Sequence, residues 1–156
     1  MPAFDALSDD FRDLLVTLVD AGVELAVVGG WAMAVHGRPR ATEDLDVVVR
    51  ATPENAQRVH RALTAFGAPL AAHGVSPDHF AVPGRAYRFG VKPNLIELLT
   101  KISGVDFDAI VEEARFVELD GRRVPIIGRA ALLANERAAA RPKDLDDVDW
   151  LERHPD

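Results

Sequence analysis

The sequence contains no cysteine. This absence excludes disulfide bonds, thiolate zinc sites and a cysteine nucleophile. No apolar run reaches roughly 18 residues, the length typical of a membrane span. The N-terminus has no basic segment followed by an apolar stretch, so no secretory signal is predicted. We therefore expect a cytoplasmic protein that does not contact a membrane.

Lysine is scarce: of the 18 basic residues, 3 are lysines and 15 are arginines. The 25 acidic residues outnumber the basic ones and leave a net charge of −7. This balance argues against broad binding to a nucleic-acid backbone, which requires a basic surface. Local arginine clusters still matter, because a guanidinium group can bind phosphate through two hydrogen bonds.

Helical and strand patterns alternate along the 156 residues, a length typical of one domain, which we place at residues 1–156. Predicted helices cover residues 8–20, 31–36, 52–66, 106–114, 129–139 and 142–153. Predicted strands cover residues 25–28, 44–50, 85–91, 95–99, 116–119 and 122–127. Asp120-Gly121 is typical of a hairpin turn. The sequence therefore predicts an α+β fold, with helices packed on a mixed sheet and a helical pair at the C-terminus.

The most informative local pattern is Asp44-Leu45-Asp46 on a predicted strand. Side chains alternate across a strand, so both aspartates share one face, with Cβ atoms roughly 7 Å apart. Two carboxylates so placed repel each other unless cations lie between them. Mg²⁺ prefers oxygen ligands of this kind, often together with substrate phosphates. A solvated acidic strand end is the alternative interpretation of the tripeptide alone.

Two further features flank these aspartates. Gly29-Gly30 lies between a predicted strand and a helix, where glycine allows close approach of a ligand and helical amides attract phosphate. A tight strand-to-helix turn would explain the pair equally well. Arg38 and Arg40 precede the aspartates and could hold phosphates, or could form a solvated loop. Arg85 and Arg88, on a later strand, could face the cleft, but a solvated strand face is the favoured interpretation.

The order of these pieces resembles the nucleotidyltransferase fold of the DNA polymerase beta superfamily. An apolar strand ends at Gly29-Gly30, and thirteen residues separate the pair from Asp44. Residues 29–46 are still more similar to small bacterial nucleotidyltransferases related to the AbiEii toxins. Those proteins carry Arg-x-Thr-x-Asp-x-Asp, a pattern matched here by Arg40, Thr42, Asp44 and Asp46.

The resemblance implies three further elements of a site. Glu97 stands where related proteins have a third metal-binding carboxylate, usually aspartate, followed by Leu-Leu-Thr. Arg141 and Lys143 match positions that contact the triphosphate, and Asp144 matches the residue that organises them. The sequence departs from the family pattern at Glu97, and at Glu136, where the family has lysine. The implied nucleotide-binding residues are Gly29, Gly30, Arg38, Arg40, Thr42, Arg141, Lys143 and Asp144.

The resemblance also implies an activity. Asp44, Asp46 and Glu97 would be the catalytic and metal-binding residues of an enzyme that uses two Mg²⁺ ions, with Mn²⁺ as a substitute. The substrate would be a nucleoside triphosphate, and the acceptor is left open among RNA such as tRNA, a protein hydroxyl and a small molecule. A toxin-antitoxin context implies a partner protein in a two-gene system. The alternative is a catalytically impaired nucleotide-binding or protein-interaction module, similar to an antitoxin, with the same fold.

Overall fold

The computed structural model of the chain describes residue 4, residues 6–39 and residues 42–155. The α-helices of these ranges are α1 (Asp9–Asp20), α2 (Gly29–Val35), α3 (Pro53–Phe66), α4 (Phe107–Glu112), α5 (Arg129–Ala139) and α6 (Pro142–Arg153). The strands are β1 (Leu25–Val28), β2 (Asp44–Val49), β3 (Ala86–Phe89), β4 (Leu95–Leu99), β5 (Arg115–Leu119) and β6 (Arg122–Ile126). The predicted α+β class is confirmed.

The strands form one mixed sheet in the order β3-β4-β2-β1-β6-β5. Strand β2 is antiparallel to β1 and parallel to β4, and β1 is parallel to β6. The pairs β3–β4 and β5–β6 are antiparallel hairpins, as the turn sequences predicted. Strand β2 therefore lies between two partners, so a side chain on it has neighbours from both β1 and β4.

One face of β2 and β4 belongs to the hydrophobic core. Leu45 and Val47 are fully buried, and their register partners Ile96 and Leu98 are buried beside them. Because side chains alternate along a strand, the residues between these apolar positions lie on the opposite face. Burial of the apolar set thus determines which side of the sheet carries the acidic residues.

Side-chain hydrogen bonds cap the starts of α1 and α3. The hydroxyl of Ser8 accepts a hydrogen bond from Phe11 N at 3.2 Å and caps α1. Thr52 caps α3 in the same way, through a 3.2 Å bond from Asn55 N. Gly67, at φ +100°, ends α3 in a left-handed conformation that glycine adopts without strain.

The observed elements differ from the predicted ones mainly at their ends. Helix α2 begins at Gly29 rather than at residue 31, so both glycines belong to its first turn. Strand β3 and helix α4 are each shorter than predicted. A 3-10 helix at Pro77–Ala81 lies between α3 and β3, where the sequence predicts neither a helix nor a strand. Within the described ranges, no helix has the length and apolar content needed to cross a bilayer.

A buried asparagine joins α3 to the two central strands. Asn55 is fully buried. Its Oδ1 accepts a hydrogen bond from Glu24 N at 2.8 Å, just before β1. Its Nδ2 donates to Glu24 O at 3.1 Å and to Arg50 O at 2.9 Å, just after β2. One side chain thus satisfies three backbone groups at the end of the sheet away from the acidic residues.

We predict that Asn55→Ala lowers the free energy of unfolding by about 2–4 kcal/mol, because three partly buried hydrogen bonds to the backbone are lost. Urea denaturation followed by circular dichroism measures the change. The matched control is Gln57→Ala, an exposed position of the same helix, which should change stability by less than about 0.5 kcal/mol. Equal effects of the two substitutions would contradict this role of Asn55.

Candidate active site

Three acidic side chains meet on one face of the sheet, where β1, β2 and β4 lie side by side. Asp46 on β2 is in register with Val28 of β1 and with Glu97 of β4. Neighbouring strands lie roughly 4.8 Å apart, so Asp46 and Glu97 are adjacent. Asp44 precedes Asp46 by two residues and shares its face. The structure thus brings together the three predicted carboxylates, whose catalytic role stays a prediction.

The carboxylates repel one another in a partly buried environment. The pKa of Asp46 is raised to about 6, chiefly by burial and then by the negative charges of Glu97 and Asp44. The positive charges of Lys143 and Arg141 act in the opposite direction, but they are outweighed. Oδ1 of Asp44 is buried and has no hydrogen-bond partner among the described residues. The surroundings of Asp44 and Asp46 therefore carry an excess of negative charge.

The oxygens of these three carboxylates are suitable ligands for a divalent cation. Mg²⁺ and Mn²⁺ favour carboxylate oxygens, and Mg²⁺ is usually held by one or two carboxylates together with substrate phosphates. An ion between Asp44 and Asp46 would supply both a compensating charge and a partner for the buried Oδ1 of Asp44. Glu97 offers further oxygens from the neighbouring strand.

The two glycines at the start of α2 allow the helix to approach the carboxylates closely. Gly29 has φ +69°, and a Cβ added there would overlap Oδ2 of Asp46. A Cβ added at Gly30 would lie 3.1 Å from the hydroxyl of Thr42. That hydroxyl in turn donates to the carbonyl of Asp44 at 3.1 Å. The glycine pair therefore has a direct packing role beside the acidic group.

A cleft with a volume of about 870 Å³ lies over the carboxylates. Its lining comes from the first turn of α2, from β2 and β4, and from α5 and the α5–α6 junction. Lys92 and Lys101 also line it. The predicted site residues that line the cleft are Gly29, Gly30, Thr42, Asp44, Asp46, Glu97, Arg141, Lys143 and Asp144.

The α5–α6 junction presents two cations to the cleft. Asp144 accepts hydrogen bonds from Arg141 through the backbone N (3.1 Å), Nε (2.6 Å) and Nη2 (3.2 Å). Burial alone would raise the pKa of Asp144, but hydrogen bonds from Arg141 and from the Glu136 carboxyl outweigh burial and lower it. Asp144 thus holds Arg141 in place, while Lys143 acts electrostatically on Asp46.

The side chain of Arg38 forms an ion pair with α6. Its Nη1 donates to Oδ1 of the fully buried Asp147 at 2.8 Å. Carboxyl oxygens of Asp147, Glu136 and Asp144 all lie within 4.8 Å of one another, so Arg38 faces a buried acidic cluster. It is absent from the described residues that line the cleft, and its position gives no support to a triphosphate contact. Arg40 lies outside the described residues.

Arg88 is exposed, as the sequence favoured, and it also lines the cleft. It is in register with Glu97 across the β3–β4 hairpin. Its Nε and Nη2 donate to Oε2 of Glu97 at 3.1 and 2.9 Å. The register of this hairpin, whose turn is centred between Lys92 and Pro93, therefore creates the ion pair.

Comparison with protein families gives one match. The family described as "Nucleotidyl transferase AbiEii toxin, Type IV TA system" matches residues 13–122, which include the glycine pair and all three carboxylates. The α5–α6 junction lies beyond the matched range. No curated protein matches the chain with significance.

Two solved structures share the fold. The antibiotic-resistance factor ANT(2'')-Ia has a TM-score of 0.56 and 13% identity, over 90% of this chain and 79% of its own. A Thermotoga maritima protein, TM1012, described as a nucleotidyltransferase, has a TM-score of 0.56 and 16% identity, over 92% of this chain and 88% of its own. At these identities the similarity concerns the fold.

We predict that Gly29→Ala lowers the free energy of unfolding by about 2–4 kcal/mol, because left-handed strain is added to a clash with Asp46. The matched control is Gly74→Ala. Gly74 has nearly the same φ, +68°, but no atom lies within 4 Å of an added Cβ. The control should lose only the backbone strain, about 1 kcal/mol. Equal losses in urea denaturation would disprove the close packing at Gly29.

A second prediction concerns pH. Asp46 has a folded pKa of about 6, above the ordinary 3.8, so the folded state takes up a proton as the pH falls between these values, and its stability then rises. Above pH 6 the buried charge is a cost, and Asp46→Asn should raise the melting temperature by about 2–6 °C. The gain should disappear below about pH 3.8. Melting curves in a chelator test this, and a less stable variant at neutral pH would contradict it.

Proposed function

Because the chain belongs to the AbiEii family of nucleotidyltransferase toxins, we propose that it transfers a nucleoside monophosphate from a nucleoside triphosphate to a hydroxyl acceptor. The observation that carries this proposal is the meeting of Asp44, Asp46 and Glu97 on adjacent strands at the floor of a cleft. The raised pKa of Asp46 and the unpartnered oxygen of Asp44 support a requirement for cations there.

Asp44, Asp46 and Glu97 would hold two Mg²⁺ ions, for which Mn²⁺ could substitute. Bound there, the ions would neutralise the triphosphate and the leaving pyrophosphate and lower the pKa of the acceptor hydroxyl. The protein would present the carboxylate oxygens on one rigid surface. Pairing of the strands in the sheet achieves this without any rearrangement of a loop. The catalytic contribution of the protein would then be positioning and charge neutralisation.

The triphosphate would lie between the glycine pair and the α5–α6 junction. Arg141 is held by Asp144 in the lining of the cleft, and the positive charge of Lys143 offsets part of the rise in the pKa of Asp46. Both cations can therefore reach phosphates bound above the carboxylates. Gly29 leaves room for close approach, since no side chain projects from it.

The reaction needs no covalent enzyme intermediate. The acceptor oxygen would attack the α-phosphorus and form a new P–O bond, and the bond from that phosphorus to the bridging oxygen would break. Pyrophosphate would leave with the bonding electrons, and the proton of the acceptor would pass to water. Asp44, Asp46 and Glu97 would keep the reacting groups in line throughout.

The acceptor stays open among RNA such as tRNA, a protein hydroxyl and a small molecule. The net charge of −7 disfavours a large RNA footprint. Members of the matched family are described as toxins of type IV toxin-antitoxin systems. We propose the same context here, with a partner protein encoded beside this chain.

The proposal is tested by incubating the protein with each α-³²P-labelled nucleoside triphosphate, Mg²⁺ and total cellular RNA and protein. We predict label transfer to one component and an at least hundredfold loss in Asp46→Asn, or about 2.7 kcal/mol of transition-state stabilisation. The matched control is Asp149→Asn, an exposed aspartate of α6, which should transfer label at the parental rate.

Two outcomes would contradict the proposal. Transfer by Asp46→Asn at the parental rate would refute the carboxylate assignment. Mg²⁺-dependent binding of a nucleotide in isothermal titration, without transfer to any component, would favour the nucleotide-binding module that the departures at Glu97 and Glu136 suggest.

A further inference from the structure

Arg88 makes an asymmetric contact with the third carboxylate of the cleft. Both of its donating nitrogens reach the same oxygen, Oε2 of Glu97. Oxygen Oε1 of Glu97 takes no part in this contact. The side chain of Arg88 is 62% exposed and that of Glu97 only 20%. The arginine therefore covers Glu97 from the solvent side and restrains it through one of its two oxygens.

The negative charges of all three carboxylates act on the guanidinium group of Arg88. Its pKa is raised by the hydrogen bond to Glu97, then by the charge of Glu97, and further by the charges of Asp44 and Asp46. These three carboxylates are the residues assigned above to divalent cations. A guanidinium at this point opposes the approach of a second positive charge.

We propose that Arg88 is a positioning residue that orients Glu97 through Oε2 and competes with divalent cations for the carboxylate group. It thereby sets the affinity of the site for metal. This inference rests on the proposed function, because it concerns the same carboxylates.

Replacing Arg88 should raise the affinity of the site for metal, because Arg88 competes with cations, and should lower turnover, because Arg88 orients Glu97. Loss of the positive charge leaves the carboxylates more negative, so divalent cations bind more tightly. Loss of the two-nitrogen contact frees the Glu97 side chain, so turnover falls. A purely structural role would not tighten metal binding. Lysine in place of arginine keeps the charge but cannot make the planar two-nitrogen contact, so it separates the two effects.

The experiment titrates the full chain with Mn²⁺ without nucleotide and follows free Mn²⁺ by electron paramagnetic resonance. We expect Arg88→Gln to bind Mn²⁺ about three- to tenfold more tightly than the parent. Arg88→Lys should bind within about twofold of the parent, because the charge is kept. The matched control Arg85→Gln removes an exposed arginine that does not line the cleft, and it should bind as the parent does. In the transfer assay, both Arg88 variants should show a lower kcat.

The outcomes separate the two proposals. Mn²⁺ binding that is equal or weaker in Arg88→Gln, while the parent binds and Asp46→Asn does not, would overturn the role of Arg88 and leave the proposed function standing. Absence of binding in the parent and in Arg88→Gln alike would remove the metal site and this inference with it. Far-UV circular dichroism and melting curves verify that each variant is folded.

Discussion

Mutual repulsion among three carboxylates is the constraint around which this cleft is arranged. The parallel pairing of β2 and β4 forces Asp46 and Glu97 into adjacent positions, and strand alternation adds Asp44 to the same face. The sheet tolerates this arrangement because the opposite face buries apolar residues completely. Apolar burial on one face of the sheet thus stabilises the fold enough to offset the repulsion among the carboxylates on the other face. Functional sites commonly carry such a cost in stability.

The cations around the acidic group are held in two different ways. Arg141 is anchored by Asp144, an acid outside the group, so its position does not depend on the three carboxylates. Arg88 is anchored by Glu97, a member of the group. On the proposed function, a divalent ion bound at Glu97 would compete with Arg88 and would leave the contact between Arg141 and Asp144 unchanged. The two sides of the cleft would respond differently to metal.

The C-terminal helices complete the cleft through contacts distant in sequence. Ala140, the residue directly after α5, adopts a left-handed φ of +54°, and beyond this turn Arg141 lines the cleft. Further along α6, Asp147 accepts a hydrogen bond from Arg38, 109 residues earlier. This contact fastens α6 to the segment that follows α2. The α5–α6 junction is therefore held by the turn at Ala140 on one side and by the Arg38–Asp147 contact on the other.

Local patterns in the sequence determined much of this architecture. Capping by Ser8 and Thr52, the apolar alternation around Leu45 and the turn at Asp120-Gly121 act over a few residues, so the α+β elements could be predicted from them. The two-residue spacing of Asp44 and Asp46 likewise puts both side chains on one face, because alternation along a strand is itself a local property.

Only the tertiary structure decided which distant charges meet. The register of the β3–β4 hairpin brings Arg88 opposite Glu97, and no local pattern specifies that register. Arg38 lies close to the aspartates in sequence, yet it is bonded to the buried Asp147 of α6 and does not line the cleft. Charge pairing depends on distances across the folded chain, whereas helix and strand formation depends on neighbours along it. The sequence therefore predicted the fold class and which carboxylates to expect in the site. The packing of strands and helices determined which charged side chains lie next to them.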